Sequence, residues 1–152
     1  MRVQIKKLNP KAIIPHHGSE QAAGYDIFAC LSEAISIAPG EVAKIPTGLA
    51  IKPPSGYYIE IVARSGLATK QGLRLANSVG ICDEDYRGEY IVALYNDSSE
   101  TRVINHGDRI AQMLLKQYNL CEFEEVEELD DTARGAGGFG STGGFDGIYK
   151  NS

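Results

Sequence analysis

The sequence is poor in cysteine and has no long apolar run. Its three cysteines, Cys30, Cys82 and Cys121, are odd in number and far apart. That spacing argues against a disulfide framework and against a zinc site of closely paired thiols. No stretch approaches the length of a membrane-spanning helix, and no apolar leader follows Met1. We therefore expect a reducing, cytoplasmic location and no membrane partner.

The chain also lacks an excess of basic charge. It carries 15 Lys and Arg against 20 Asp and Glu, which gives a net charge of −5. A general nucleic-acid binder needs a basic footprint, so we expect no nucleic-acid partner. The acidic run at 122–131 is typical of a solvated face. The negative charge of a polyphosphate ligand would have to be neutralised locally, by a few arginines, backbone N–H groups or a metal ion.

Glycine and proline, by contrast, are frequent. The 152 residues include 17 Gly and 6 Pro, and breakers such as Pro39-Gly40 and Pro53-Pro54-Ser55-Gly56 recur at short intervals. Many short strands between such breakers predict an all-β sandwich, barrel or jelly roll. Alternation of apolar and polar residues predicts strands near 3–9, 57–63 and 90–95.

Three further segments are less regular. Residues 109–115 fit a buried strand or a short helix, and their β-rich surroundings favour a strand. The only good helix candidate runs from Ser65 to Gln71. Between 121 and 129 the apolar residues fit both periods, and we favour a strand there.

The C-terminal region is of low complexity, since six of the residues 135–144 are glycine. Such a tail cannot bury apolar surface alone and should be ordered only by a ligand or partner. Gly135 to Gly140 match G-x-G-x-x-G, but no helix or βαβ unit surrounds them, so a dinucleotide fold is rejected. The tail is either simply mobile or closes over a nucleotide with Arg134, Phe139, Ser141 and Thr142.

Three other places could carry chemistry. Ser65 and Gly66 at a helix start can present a hydroxyl and N–H groups to an anion, or form an ordinary N-cap. A carboxylate of the segment 83–85 can act as a general base toward water, or the segment is a polar turn. Gln112 within an apolar run is either catalytic or a hydrogen-bonding core residue. The three histidines are interpreted as surface residues.

The order of these segments is more specific than any one of them. Five of them, taken in order, resemble the motifs of the trimeric dUTPase family: Ala23-Gly-Tyr-Asp26, Arg64-Ser-Gly-Leu-Ala68, Gly80-Ile-Cys-Asp-Glu-Asp-Tyr-Arg-Gly88, Gly107-Asp-Arg-Ile-Ala-Gln112 and Arg134-Gly-Ala-Gly-Gly-Phe-Gly-Ser-Thr-Gly143. The resemblance runs from about residue 3 to 143. Cys82 stands where the family usually has an aliphatic residue.

The resemblance implies an architecture. It is a jelly-roll-like β-barrel with one short helix in residues 1–130, assembled as a homotrimer. Residues 131–152 form a swapped glycine-rich arm that closes over an active site built by the other two subunits. The extension from Phe145 to Ser152 has no role that we can derive.

The resemblance also implies a reaction, the hydrolysis of dUTP to dUMP and pyrophosphate by in-line attack of water on the α-phosphorus. Asp83 positions and deprotonates the water, and Gln112 reaches the α-phosphate or the water. Mg²⁺ bridges the phosphates and meets Asp26 through bound water. The implied substrate-binding residues are Arg64, Ser65, Gly66 and Arg134 on the phosphates, with Gly140, Ser141 and Thr142; Asn77 and Gly80 at the uracil edge; Phe139 over uracil; and Tyr86 under the deoxyribose.

Two alternatives stay open. A dCTP deaminase, or a bifunctional deaminase–dUTPase, resembles the same fold. A nucleotide-binding regulator without turnover belongs to another class. The joint presence of Asp83, Gln112 and Arg134 favours the hydrolase.

Overall fold

The computed structural model describes residues 1–138, and its contacts divide the chain into two units, Met1–Asn119 and Leu120–Ser152. The first unit is all-β with one short helix, which confirms the expected class. Its elements in order are β1 Gln4–Lys7, β2 His16–His17, β3 Tyr25–Phe28, β4 Ile35–Ile37, β5 Val42–Pro46, β6 Leu49–Lys52, β7 Tyr57–Val62, α1 Ser65–Gln71, β8 Leu73–Leu75, β9 Gly80–Cys82, β10 Ile91–Asn96, β11 Arg102–Ile104 and β12 Arg109–Gln117.

The strands form four antiparallel sheets. The largest has the order β2-β3-β12-β7-β9, a second has the order β5-β10-β8, and two pairs are β1-β6 and β4-β11. Among residues 1–138 these sheets do not join into one closed barrel. The five-stranded sheet matters most here, because it carries residues from four of the five motifs or their immediate neighbours.

Alternation along β7 shows how the sequence specifies that sheet. Ile59 and Ile61 are buried in the core, whereas Tyr58 and Glu60 lie on the opposite, outer face. Side chains of a strand alternate between faces, so a shift of one residue would expose both isoleucines. Each buried isoleucine stabilises the fold by about 2 kcal/mol.

The segment 109–115, for which a helix was the other option, is a strand. β12 pairs with β3 on one side and with β7 on the other, and a register irregularity lies between Arg109 and Ala111. The strand is central in its sheet, and its buried side chains are Ile110, Ala111 and Met113.

The helix spans the expected residues. It ends at Gly72, whose φ of 67° is left-handed and whose N–H donates to the carbonyl of Leu67. A Cβ there would lie 2.8 Å from the Cβ of Ser98, so only glycine fits. Within residues 1–138 no helix is long and apolar enough to cross a membrane.

The second unit begins at Leu120, and its described part runs to Gly138. Residues 120–136 are exposed and form no strand, so the strand favoured between 121 and 129 is wrong for this chain. A strand needs a ladder partner for its N–H and C=O groups, and the described part of this unit supplies none. The acidic run at 122–131 is solvated, as its composition indicated.

Candidate active site

Asp26 is the buried carboxylate of the five-stranded sheet. It lies on β3 with only 7% of its surface exposed. Arg64 Nε donates to its Oδ1 at 3.0 Å, and Arg109 Nη1 donates to its Oδ2 at 3.3 Å. A buried carboxylate requires such partners, because desolvation alone would cost several kcal/mol. These two guanidinium groups place positive charge beside Asp26 in a chain that is acidic overall, and Asp108 lines the same depression as both arginines.

Gln112 joins this group from the neighbouring strand. It pairs directly with Asp26 across β12 and β3, so both side chains leave the same face of the sheet. The amide lies against the backbone of Gly24, since a Cβ at that glycine would come 2.7 Å from Gln112 Oε1. Gln112 is thus a side chain of the outer face rather than a core residue. Asp26, Arg64, Arg109 and Gln112 are called the Asp26 cluster below.

Arg109 is the member of this cluster that sequence reasoning missed. It lies in the segment Gly107-Asp-Arg-Ile-Ala-Gln112 at the start of β12, but its side chain contacts Asp26 on the neighbouring strand β3. Its backbone carbonyl also accepts from Arg64 Nη1 at 3.4 Å. Its position at the start of a largely apolar strand could have identified it, because a cation there is expected to have an acidic partner.

Ser65 and Gly66 lie beside the cluster at the start of α1. Arg64 is the N-cap and makes no side-chain capping bond, so Ser65 is the first helical residue and not the ordinary N-cap. Both Ser65 and Gly66 are exposed. The first N–H groups of a helix have no intrahelical acceptor, so this end can meet an anion.

A second group of predicted residues surrounds a cleft beside β9, at the connection that joins β8 to β9. These two strands are consecutive but belong to different sheets, since β8 pairs with β10 and β9 pairs with β7. Each is therefore an edge strand with backbone N–H and C=O groups on its free side in the described chain. A cavity of about 240 Å³ lies there, lined by Ile61, Asn77, Gly80, Asp83, Tyr86 and Tyr90, among others. We call it the β8–β9 cleft.

Asn77 and Gly80 shape one end of the cleft. Asn77 begins a tight turn, in which the N–H of Val79 donates to its carbonyl at 2.6 Å. Ser78 has a φ of 62°, a left-handed conformation that few non-glycine residues adopt. A Cβ at Gly80 would lie 3.1 Å from that of Ile61, so glycine keeps the cleft open.

Tyr86 forms a wall of the same cleft and is 44% exposed. Its hydroxyl donates to the carbonyl of Glu89 at 3.0 Å, and its ring lies 5.9 Å from that of Tyr90. The ring also rests against Gly88, where any side chain would collide with it. Tyr86 is thus held as a fixed aromatic surface beside the cleft.

Asp83 stands at the mouth of the cleft and is exposed. It opens a turn in which the N–H of Tyr86 donates to the carbonyl of Asp83 at 3.2 Å. Cys82, the residue before it, lines the cleft, and burial raises the pKa of its thiol to about 11. The thiol is therefore protonated at neutral pH, consistent with an inert packing residue.

The structure does not bring the two groups together within one chain. Asp26 on β3 and Gly80 on β9 are three strand spacings apart, which is roughly 14 Å. Gln112 pairs with Val62 and Gly80 pairs with Ile61, so these two residues face opposite sides of the sheet. Gln112 lies on β12, two strand spacings from β9, and Asp83 follows β9, so the predicted catalytic pair is not adjacent in this chain.

The remaining predicted residues belong to the second unit. Arg134 is exposed, and its Nε donates to the carbonyl of Gly137 at 2.7 Å. The predicted stacking ring Phe139, together with Gly140, Ser141 and Thr142, lies outside the described residues.

An all-β fold with an arginine-rich cluster and an open-edged cleft defines a class of anion-binding β protein. The sequence profile of the dUTPase family matches residues 10–143. A deoxyuridine 5'-triphosphate nucleotidohydrolase of Desulfitobacterium hafniense is 51% identical over 131 residues, covering 86% of this chain and 87% of its own. One of the same name from Wolinella succinogenes is 48% identical over 143 residues, covering 94% and 95%.

Solved structures agree. A mutant of the Staphylococcus bacteriophage 80alpha dUTPase with dUpNHpp superposes with a TM-score of 0.84 at 28% identity, covering 93% of this chain and 98% of that one. A mutant dUTPase from phage phi11 of S. aureus, described with a structural Mg(II) ion, has a TM-score of 0.78 at 26% identity, covering 86% and 100%. This chain belongs to the dUTPase family.

Proposed function

We propose that this chain hydrolyses dUTP to dUMP and pyrophosphate at a site shared between subunits of a homotrimer. The observation that carries the proposal is the β8–β9 cleft, where the free backbone edge of β9, Asn77 and the ring of Tyr86 together suit a flat heterocycle and its sugar. Family membership and the similar structure with dUpNHpp support it.

The cleft selects the base. Backbone groups at Gly80 and the Asn77 amide pair with the polar edge of uracil, and the narrow floor at Ile61 excludes the 5-methyl group of thymine. Cytosine presents a donor where uracil presents an acceptor, so buried groups would be left unpaired. Such a mismatch discriminates by a large factor.

The sugar lies on Tyr86. The hydrogen bond from its hydroxyl to Glu89 and the contact with Gly88 fix the ring. In the proposed complex this fixed ring excludes a 2′-hydroxyl. This rigidity supports a preference for deoxyribose over ribose.

The triphosphate binds at the Asp26 cluster of a neighbouring subunit. Arg64, Ser65 and Gly66 meet the phosphate chain with a cation, a hydroxyl and a backbone N–H. The Gln112 amide, held over Gly24, reaches the α-phosphate or the attacking water. The two guanidinium groups beside Asp26 support this assignment.

The residues present fit Mg²⁺ in a particular way. No group of three or more His, Cys, Asp or Glu side chains suited to a metal exists in residues 1–138. Both oxygens of Asp26 already accept from arginines, so Asp26 suits contact through a metal-bound water. Mg²⁺ commonly binds through substrate phosphates and keeps several waters. When bound, it neutralises charge on the phosphates.

Asp83 carries the chemistry. Its carboxylate holds a water and takes its proton as the water oxygen bonds to the α-phosphorus. The bond from that phosphorus to the oxygen bridging the α and β positions breaks, and pyrophosphate leaves. Positioning and charge stabilisation supply most of the rate enhancement.

The separation of the cleft from the Asp26 cluster supports an intersubunit site. The cleft of one subunit and the cluster of a second form the site, and the arm of residues 131–152 from a third closes it. In that arm Arg134 pairs with the γ-phosphate, Ser141 and Thr142 assist, and Phe139 stacks over uracil beside Gly140.

The alternatives have less support. The relatives are nucleotidohydrolases by name, which favours hydrolysis over deamination of dCTP. The retained Asp83, Gln112 and Arg134 favour turnover over a regulator that only binds nucleotide.

The test is pyrophosphate release from dUTP, dTTP, dCTP and UTP, each with Mg²⁺ and with a chelator. Release from dUTP alone, weakened by the chelator, is the expected result. Ammonia from dCTP would instead establish a deaminase. Binding of dUTP with no product of either kind would establish a regulator.

A further inference from the structure

Glu84, next to the proposed base, makes two hydrogen bonds that no motif in the sequence indicated. Its Oε2 accepts from the backbone N–H of Gly56 at 2.7 Å and from the hydroxyl of Tyr118 at 2.8 Å. The N–H of Tyr118 donates in turn to the carbonyl of Gly56 at 3.2 Å. Glu84, Gly56 and Tyr118 thus form a closed triangle, which we call the Glu84 clamp.

The clamp holds one end of the turn that carries Asp83 and Tyr86. Inside the turn, Arg87 Nη1 donates to the carbonyls of Glu84 and Tyr86 at 2.6 and 3.0 Å. The other end is fixed through Glu89, whose Oε1 accepts from the N–H of Gly48 at 2.7 Å. The turn is therefore anchored at both ends to other segments of the first unit, and Glu84 is the anchor beside Asp83.

We propose that Glu84 is a positioning residue, which holds the Asp83 carboxylate at its working place by tying the turn to Gly56 and Tyr118. The proposal rests on the proposed function, because it takes Asp83 as the base. Tyr118 directly follows β12, the strand that carries Gln112. Small displacements of a catalytic group cost large factors in rate, so an anchor one residue away affects turnover.

The clamp persists over a wide pH range. The hydrogen bonds from Gly56 and Tyr118 lower the pKa of Glu84 below its ordinary 4.5. The hydrogen bond to Glu84 raises the pKa of Tyr118 above its ordinary 10.0. Glu84 loses its contribution to the stability of the clamp only as pH falls through its lowered pKa. Tyr118 loses its contribution only as pH rises through its raised pKa. Between 4.5 and 10.0 the clamp is intact.

The chain offers a matched control. Tyr58 and Tyr118 line the same cavity of about 520 Å³, and the hydroxyl of Tyr58 donates to Glu60 Oε2 at 3.0 Å. That pair has the same chemistry, but Glu60 lies on β7 and not in the turn of Asp83. Tyr58→Phe and Glu60→Gln therefore remove a tyrosine–glutamate bond without touching the clamp.

The experiment measures steady-state pyrophosphate release from dUTP by the full chain and its variants. Tyr118→Phe should lower kcat about threefold to tenfold, more than it changes KM, and Glu84→Ala should lower kcat further. Glu84→Gln keeps an acceptor oxygen and should retain more activity than Glu84→Ala. The losses should be constant between about pH 6 and about pH 9, and Tyr58→Phe and Glu60→Gln should match the unaltered chain.

A second measurement separates positioning from general destabilisation. Amide hydrogen exchange in residues 83–87 should be faster in Tyr118→Phe than in Tyr58→Phe, at an equal melting temperature. Equal kcat and equal exchange in these two variants would overturn the proposal, as would a loss of kcat that merely follows the melting temperature. No pyrophosphate from the unaltered chain would contradict the proposed function itself, and the role of Glu84 with it.

Discussion

Gly24 gives the sharpest prediction at the scale of single residues. In Gly24→Ala the new Cβ would come 2.7 Å from Gln112 Oε1, at the far end of a flexible side chain. A small movement of the Gln112 side chain relieves this contact at little cost in stability, but it displaces the amide from its position against Gly24. We expect kcat for dUTP to fall roughly tenfold to hundredfold, with the melting temperature nearly unchanged.

Gly40→Ala is the control, because it should affect stability and not turnover. Gly40 has a φ of 78° with open space around it, so alanine adds backbone strain of about 1 kcal/mol. The melting temperature should fall while kcat stays the same. Unchanged turnover in Gly24→Ala would show that the Gln112 amide takes no part in the reaction.

The second residue-scale prediction concerns Asp83. Asp83→Asn keeps the shape of the side chain but cannot take a proton from water, so kcat should fall about 100-fold or more. Binding of dUTP, measured by calorimetry, should remain. Ordinary turnover in this variant would remove Asp83 from its role as base.

Some residues of the candidate site could be predicted from the sequence, and others could not. Asp26, Arg64 and Gln112 could be found as motif residues, and the structure places them together. Arg109 and Glu84 lie inside the same motifs but were not found. Their roles depend on partners 83 and 34 positions away, and such pairing follows from strand register, which no local pattern contains.

At the scale of elements, the C-terminal arm gives the third prediction. A chain truncated after Ala133 keeps the whole first unit and its core, Met1–Asn119. It should fold with a nearly unchanged melting temperature, yet lose nearly all turnover because Arg134 and the glycine-rich segment are gone. Failure of the truncated chain to fold would make the arm structural instead.

Elements were predictable where the pattern was local. α1 could be predicted from its helix-forming residues and Gly72, and β7 could be predicted from the alternation of its apolar residues. The strand favoured between 121 and 129 was wrong because a strand is completed by its partner, which a sequence pattern does not supply. The pairing of β8 and β9 with different sheets could not be predicted either, because a local pattern does not contain the partner of a strand.

At the scale of the whole molecule, the separation of the two groups predicts complementation between inactive chains. Asp83→Asn and Arg64→Ala should each be inactive alone. Refolded together in equal amounts, they should regain activity in about one quarter of the sites, where an intact cleft meets an intact cluster. Activity should be followed by pyrophosphate release against the mixing ratio. No recovery would contradict a site shared between subunits.

The assembly itself could be inferred only through resemblance, since nothing in the periodicity of the sequence specifies three copies. In the structure, Asp26 and Gly80 lie roughly 14 Å apart, and Gln112 and Gly80 face opposite sides of the sheet, which agrees with the proposed site shared between subunits.

The proposed hydrolysis depends on attack of water at the α-phosphorus of dUTP. The most direct measurement is the hydrolysis of dUTP in ¹⁸O-labelled water, with mass analysis of both products. We predict one labelled oxygen in dUMP and none in pyrophosphate. Label in pyrophosphate, or no hydrolysis of dUTP, would contradict the account.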